Sequence, residues 1–303
     1  MTNLPHLSRR SFFRTSAAVA AAPVFLQGIP QLVAAPAPRP ILKTLKIGMV
    51  GVPGSLTDKL KAAKQAGFDG IELDAPGFNL EEAKKAIAET GLPVDGTVCS
   101  SHWNVRHTSP DAATRKKALE HLETALRDTH AIGGNTVLLV VGKGEDGPES
   151  EIWPRSIENI SKAIPLAASL GVYIAIENVW NQFLYDHDGS NNQTADKFVK
   201  YVDELNSPWV GMQFDIGNHW KYGDPGAWIR QLGRRVVKLD IKGFSRAQNN
   251  FTPISKCDLP WDSVRSALTE IGFSGWCAAE VGGGNVEYLR GVANEIKEVL
   301  KLA

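Results

Sequence analysis

Residues 172–180 read VYIAIENVW, and residues 210–220 read VGMQFDIGNHW. Each stretch starts as a short run of β-branched and other apolar residues and ends in polar and aromatic ones. An apolar run of this length is typical of a strand that is buried on both faces, as in a parallel sheet. RVVKLDIKGF from Arg235 and GWCAAEVGGG from Gly275 repeat the pattern. The four stretches predict consecutive strands of one parallel sheet.

Four earlier stretches extend this pattern toward the N-terminus. They are LKIGMVGV from Leu45, FDGIELDAP from Phe68, PVDGTVCSSHW from Pro93 and NTVLLVVGKG from Asn135. Eight strand-then-helix units predict an α/β fold, a (β/α)8 TIM barrel. A doubly wound open sheet is the alternative.

Segments of helical period separate the predicted strands. In DAATRKKALEHLETALRDTHAIG, apolar positions recur at helical spacing at Ala118, Leu122, Ala125 and Leu126. Five helices are expected to end at a left-handed glycine just before the next strand. These glycines lie in KQAGFDG, AETGLPVD, HAIGGN, ASLGVY and TEIGFSG.

The first 37 residues differ in composition from the rest. SRRSFFR, with the pair Arg9 and Arg10, precedes an alanine-rich apolar run without charges from Thr15 to Ala35. This resembles a twin-arginine (Tat) export signal, and two prolines in the run disfavour a stable membrane span. We therefore expect a signal over residues 1–37, a single catalytic barrel domain over residues 38–303 and a periplasmic location, with an uncleaved membrane tether as the alternative.

Composition excludes several classes of function. The 303 residues include 33 Lys plus Arg and 33 Asp plus Glu, so the surface lacks the positive excess that nucleic-acid binding requires. Three widely separated cysteines indicate neither a disulfide framework nor a zinc ribbon. No GxxxxGK[ST] or GxGxxG motif is present, so no nucleotide cofactor is expected.

Strand alternation places one acid at the inner end of each of the last four strands. These acids are Glu177, Asp215, Asp240 and Glu280. Four carboxylates at one mouth repel one another unless a cation lies among them, so a divalent metal ion is expected. In the alternative, each acid bonds loop backbone or pairs with Lys238 or Lys242.

The linked series of motifs resembles the xylose isomerase-like TIM barrels, which include sugar epimerases of the D-tagatose 3-epimerase type, inosose dehydratases and endonuclease IV. The motifs are DGIELDAP, TSPDAATRKKALEHLETAL, IENVW, FDIGNHW, WDSVRSAL and AAEVGGG. The resemblance implies that the metal ligands are Glu177, Asp215, Asp240 and Glu280. It also implies that Glu177 and Glu280 are the acid and base groups of a reaction through a metal-stabilised enediolate.

Two positions depart from the family pattern. Asp240 stands where the family usually has His, and Asn218, followed by His219, stands where many members have His. An all-oxygen ligand set favours manganese, with magnesium or cobalt as alternatives, over zinc. The lost histidines also disfavour the His-rich site of endonuclease IV. Alternatively, His219 replaces Asp240 as the fourth ligand.

Side chains around the mouth are candidates for binding a sugar. Trp103, Trp180 and Trp220 follow strand ends and could stack on apolar sugar faces. The resemblance implies a substrate-binding arginine at Arg246. His102 is a candidate general acid. Further candidate substrate contacts are Lys143 and His219. The alternative is loop packing for the tryptophans, a solvated loop charge for Arg246 and a hydrogen-bonded rim histidine for His102.

These observations predict a metal-dependent isomerase or epimerase that acts on a keto sugar without a phosphate group. A lyase or hydratase of 3-keto-glycosides shares the first proton transfer and is one alternative. A sugar-binding protein on a degenerate barrel is another. A small carbohydrate is the expected partner, and a homodimer is left open.

Overall fold

Eight parallel strands form one sheet in residues 40–302, the part of the chain that the computed structural model describes. They are β1 (Ile41–Leu45), β2 (Ile71–Ala75), β3 (Val94–Cys99), β4 (Thr136–Leu139), β5 (Tyr173–Glu177), β6 (Val210–Asp215), β7 (Val236–Ile241) and β8 (Gly275–Ala279). The strand order is β1-β8-β7-β6-β5-β4-β3-β2. A parallel bridge between Lys46 and Glu72 joins the two ends of the sheet. The predicted (β/α)8 barrel is therefore confirmed, and the open-sheet alternative is wrong.

Helices connect the strands on the outside of the barrel. They are α1 (Leu56–Ala66), α2 (Leu80–Thr90), α3 (Ala112–Ala131), α4 (Glu149–Ser161), α5 (Ile164–Leu170), α6 (Asp196–Glu204), α7 (Ile216–Trp220), α8 (Pro225–Leu232), α9 (Trp261–Glu270) and α10 (Val286–Leu300). The five predicted helix-ending glycines all have positive φ, between 61° and 94°. Only glycine adopts this conformation without strain from a Cβ atom, so these positions turn the chain back toward the sheet.

The first strand differs from its predicted position. The apolar run from Leu45 was expected to form it, but β1 is ILKTL, and residues Ile47–Met49 form a short 3₁₀ helix. The register of β1 on β8 ends at Leu45 opposite Ala279, so the rest of the run lies beyond the barrel. The shift places Lys46 at the mouth, directly after the strand.

The apolar core lies between the strands and the helices. Ile174 and Ile176 of β5 belong to this core, as do Leu122 and Leu126 of α3. The interior of the barrel is partly polar, because Glu72, Asp95, Gln213, Lys238 and Asp240 are all buried there.

An antiparallel hairpin extends the chain beyond β7. Its strands are Gly243–Ser245 and Asn250–Thr252, paired with Phe244 opposite Phe251. Within residues 40–302, no helix is both long enough and apolar enough to cross a bilayer. The export signal predicted for residues 1–37 lies outside the described residues.

Candidate active site

Four carboxylates meet at the C-terminal end of the barrel. Glu177 ends β5, Asp215 ends β6, Asp240 is the second-last residue of β7, and Glu280 follows β8. One oxygen of each lies within 4.8 Å of the corresponding oxygens of the other three. We call this group the carboxylate cluster. It brings together all four predicted metal ligands. His219, the alternative fourth ligand, is a described residue but is not a member of the cluster.

Two lysine ammonium groups lie against the cluster. Lys242 Nζ is 2.8 Å from Asp215 Oδ2 and 3.0 Å from Glu280 Oε1. Lys46 Nζ is 3.2 Å from Asp240 Oδ2 and 4.0 Å from Glu280 Oε2. The pairing of acids with lysine, considered above as an alternative to a metal, is therefore present for part of the cluster. When all six groups are ionised, the four carboxylates exceed the two ammonium groups by two negative charges.

The environment separates the pKa values of the two glutamates. Burial, together with the charges of Glu280 and Asp240, raises the pKa of Glu177 well above its ordinary value. Burial also acts on Glu280, but the two neighbouring ammonium groups lower the pKa of that carboxyl below its ordinary value. Burial raises the pKa of Asp215 to about 6 and that of Asp240 to about 7. Without a further cation, the cluster therefore holds protons near neutral pH.

Amide groups fix the orientation of the two aspartates. The Asn218 backbone N–H donates to Asp215 Oδ1 at 2.7 Å, and Asn178 Oδ1 accepts from the Asp215 backbone N–H at 2.8 Å. Gln213 Nε2 donates to Asp240 Oδ1 at 2.8 Å. The Oδ2 atoms of Asp215 and Asp240 are buried, and each faces a lysine ammonium group, Lys242 Nζ at 2.8 Å and Lys46 Nζ at 3.2 Å. Each aspartate therefore accepts an amide hydrogen bond at Oδ1 and directs Oδ2 toward a positive charge.

The donor set fits a divalent metal ion. It offers carboxylate oxygens, the ligands that magnesium and manganese prefer. A buried carboxylate oxygen is costly unless a donor or a positive charge faces it, and the Oδ2 atoms of Asp215 and Asp240 are buried oxygens that each already face a positive charge. The excess of two negative charges equals the charge of one such ion. The cluster could thus bind a metal.

A second charged layer lies in the barrel interior. Lys238 Nζ donates to Glu72 Oε1 at 2.6 Å and forms an ion pair with Asp95, and all three side chains are fully buried. Asp95 Oδ1 also accepts from Thr44 Oγ1 at 2.5 Å. Lys46 Nζ donates to Glu72 Oε2 at 2.9 Å. Although burial acts in the opposite direction, the two ammonium groups lower the pKa of Glu72 to about 2. Lys46 therefore links this layer to the cluster.

His102 is a buried neutral imidazole. Its Nδ1 accepts the backbone N–H of Val140 at 3.2 Å, so the ring proton is on Nε2. Burial lowers the pKa of His102 to about 3. A neutral ring can donate a hydrogen bond from Nε2 to a hydroxyl group, but it has no acidic proton to give at neutral pH. The role of His102 as a general acid stays a prediction, and its surroundings favour a hydrogen-bond donor.

The aromatic candidates have different surroundings. Trp180 stacks on Phe251, with ring centroids 5.1 Å apart and an angle of 19° between the rings. Lys242 Nζ lies 5.3 Å from the Phe251 ring centroid, so this aromatic pair borders the cluster. Trp103 is 39% exposed, and Lys143 Nζ lies 5.5 Å from its ring. Substrate contacts by these residues stay predictions.

Arg246 and Trp220 are engaged within the protein. The guanidinium lies 3.5 Å from the Trp220 ring centroid and also donates to the Trp220 carbonyl. It donates further to the carbonyls of Gly223 at 2.9 Å and Asn191 at 3.1 Å. Trp220 Nε1 donates to Asp258 Oδ1 at 2.6 Å. These contacts hold loops together through Nε and Nη2 of Arg246, and substrate binding by Arg246 and Trp220 stays a prediction.

His219 lies in an aromatic part of the core. Its ring centroid is 3.6 Å from that of Trp228, and its Nδ1 is 3.1 Å from the Tyr185 hydroxyl. Burial lowers the pKa of His219 well below its ordinary value. This position does not join His219 to the cluster, so Asp240 is the fourth member there.

Two residues at the site were missed at the sequence level. Lys46 lies two residues after Thr44, so its side chain is on the same face of the extended chain as that buried residue. A prediction of β1 that started at Ile41 would have placed Lys46 inside the barrel. Phe251 lies on the hairpin, and its sequence context carries no signal of its position. Contacts between the hairpin and the rest of the mouth determine where it lies.

Comparison with known proteins agrees with this architecture. A family model described as "Xylose isomerase-like TIM barrel" matches residues 60–301. The L-ribulose-5-phosphate 3-epimerase UlaE of Salmonella paratyphi C is 24% identical over 235 residues, which is 72% of this chain and 79% of that protein.

Two solved structures share the fold. A Methylomonas D-allulose 3-epimerase in complex with D-allulose has a TM-score of 0.69 at 19% identity and covers 86% of this chain and 97% of its own. The 3-keto-D-glucoside 4-epimerase of E. coli has a TM-score of 0.71 at 16% identity. The match covers 86% of this chain and 100% of the E. coli chain.

Proposed function

Because this chain belongs to the xylose isomerase-like TIM barrel family, we propose that it is a divalent-metal-dependent sugar isomerase or epimerase. It removes and returns a proton on the carbon next to a carbonyl group. One observation carries the proposal: Glu177 and Glu280 share one cluster although two strands, β6 and β7, separate their strands in the barrel. Similarity to a protein named as a sugar 3-epimerase supports this reaction class.

The metal ligands in this proposal are the four members of the carboxylate cluster. Manganese is the proposed ion, because all four donors are oxygens, with magnesium or cobalt as alternatives. A bound divalent ion would polarise the substrate carbonyl and make the neighbouring C–H more acidic.

The chain's own residues then handle the proton. Glu177 and Glu280 approach the substrate from different strands, so one carboxylate can take a proton from one face while the other returns one to the opposite face. His102 Nε2–H donates a hydrogen bond to a substrate hydroxyl. Lys46 and Lys242 limit the excess negative charge around the substrate.

The proposed substrate is a keto sugar without a phosphate group, and the proposed location is periplasmic. Both parts rest on the Tat-like signal over residues 1–37, with a membrane tether as the alternative if the signal is not cleaved. A lyase acting on 3-keto-glycosides shares the first proton transfer and expels the aglycone afterwards. A binding protein would carry out neither step.

Proton NMR in deuterated water tests this proposal. Manganese-loaded protein is mixed with free ketoses and 3-keto-glycosides, and deuterium is expected to enter next to the carbonyl with the carbon skeleton intact. Glu280→Gln should abolish this exchange, whereas Glu89→Gln, on the exposed side of α2, should not. Release of the aglycone would indicate the lyase. No exchange with any substrate would indicate the binding protein.

A further inference from the structure

A cleft of about 880 Å³ opens beside the carboxylate cluster. It lies between the hairpin and the first half of α10, and Lys242 and Glu280 belong both to its lining and to the cluster. Pockets of roughly 300–1,000 Å³ hold ligands of drug size. The cleft therefore has room for a group considerably larger than the sugar ring that the cluster would act on.

The lining of the cleft is largely apolar. Met49, Phe251, Ile254, Tyr288 and Val292 contribute to it. Phe251 is 44% exposed and Tyr288 is 45% exposed, and both are among the four exposed large hydrophobic side chains of the described residues. Exposed aromatic side chains that face one cleft are typical of a binding surface.

Charge at the cleft disfavours a phosphate group. Its acidic lining residues are Glu280, Glu287 and Glu295, and its one lysine among the described residues, Lys242, is already paired within the cluster. At the start of α10, Asn285 Oδ1 accepts the Tyr288 backbone N–H at 3.0 Å, so one of the amide groups that could bind an anion there is already used. The charge of the lining therefore argues against an anionic occupant, and its apolar side chains favour an apolar one.

Gly291 leaves part of the cleft open. It lines the cleft from α10, and a Cβ atom built there would have no other atom within 4 Å. A larger side chain at this position can therefore extend into open space without a clash. This position allows the cleft to be filled by substitution.

We propose that the cleft binds the apolar aglycone, of aryl size, of a keto-glycoside whose sugar ring lies at the carboxylate cluster. The inference rests on the proposed function, because the sugar ring must reach the cluster for its aglycone to reach the cleft. Continuity through Lys242 and Glu280 places the two binding regions side by side. The cleft then determines which keto sugars the enzyme accepts.

The test compares two substrates that differ only in the aglycone. Full-length, manganese-loaded protein is given methyl 3-keto-β-glucoside or 4-nitrophenyl 3-keto-β-glucoside, and deuterium exchange or aglycone release is followed by NMR. We expect kcat/KM to be at least tenfold higher for the aryl glycoside. Tyr288→Ala and, as an independent variant that fills the cleft, Gly291→Leu should each bring this ratio close to one. Leu42→Ala, an exposed apolar residue on β1 outside the cleft, should leave the ratio unchanged.

Other outcomes overturn the inference and separate it from the proposed function. Equal turnover of the two glycosides would leave the proposed function intact and exclude an aglycone site. Faster turnover of a phosphorylated ketose would also exclude it. A dimer by light scattering that Tyr288→Ala dissociates, without any aryl preference, would assign the cleft to a second copy of the chain. No turnover of any glycoside or free ketose would overturn the proposed function as well.

Discussion

Lys46 Nζ lies 3.2 Å from Asp240 Oδ2, so an ammonium group contacts a residue of the carboxylate cluster. The same ammonium group donates to Glu72 Oε2 at 2.9 Å in the layer below. One cation therefore compensates acids in two layers of the barrel. Together with Lys242, it partly balances the cluster even before a metal ion binds.

Removal of metal should therefore abolish activity and spare the fold. After treatment with EDTA, deuterium exchange into the substrate should be lost, while the far-UV circular dichroism spectrum and a cooperative thermal transition should persist. The physical reason is that Lys46 and Lys242 stay paired with the acids. Cooperative unfolding on chelation would contradict this prediction, and restored exchange after adding manganese is the control.

Metal affinity should rise with pH between about 5.5 and 7.5. The pKa of Asp215 is raised to about 6 and that of Asp240 to about 7, so both carboxyls are increasingly protonated as the pH falls through this range. A metal ion must displace these protons, so binding weakens toward acid pH and releases protons. Calorimetry of manganese binding in two buffers of different ionisation enthalpy measures both effects. An affinity that is independent of pH would show that the aspartates are already ionised.

Asp240→Asn should weaken manganese binding by at least about 10-fold, because removal of groups that merely orient metal ligands already costs about 10- to 100-fold. Asp240 belongs to the group of four whose oxygens lie within 4.8 Å of one another, and His219 does not. Folded His219→Gln should therefore retain the wild-type affinity. Titration of free manganese by electron paramagnetic resonance compares the two variants. The reverse order of affinities would make His219 the ligand.

Lys238→Met should destabilise the protein by about 3–5 kcal/mol, because it leaves buried Asp95 without its cation and removes one of the two cations of Glu72. Lys238 Nζ is 2.6 Å from Glu72 Oε1, pairs also with Asp95, and is fully buried. Urea unfolding of the metal-free protein measures the change. The exposed Lys85→Met on α2 should change the free energy of unfolding by less than about 0.5 kcal/mol. A similarly small effect for Lys238→Met would mean that the interior charges are not essential to the fold.

The eight-strand architecture and the carboxylate cluster could both be predicted from the sequence. Strand alternation is a local property, and the barrel fold brings together the inner ends of neighbouring strands such as those that carry Glu177 and Asp215. Lys46 was missed because the apolar run from Leu45 continues beyond the end of the strand. The cleft beside Phe251 and Tyr288 could not be predicted, because it forms between a hairpin and a helix whose approach no local pattern determines.

The bridge between Lys46 and Glu72 joins the first and second strands, where the cylinder of strands closes. Main-chain hydrogen bonds from Asp69 and Gly70 to the carbonyl of Lys43 also join these two segments. This seam contains the Lys46 ammonium group, which contacts both Glu72 across the seam and Asp240 in the cluster. A metal ion that repels this ammonium group would therefore act on barrel closure itself, so amide hydrogen exchange at the seam should report whether the site is filled.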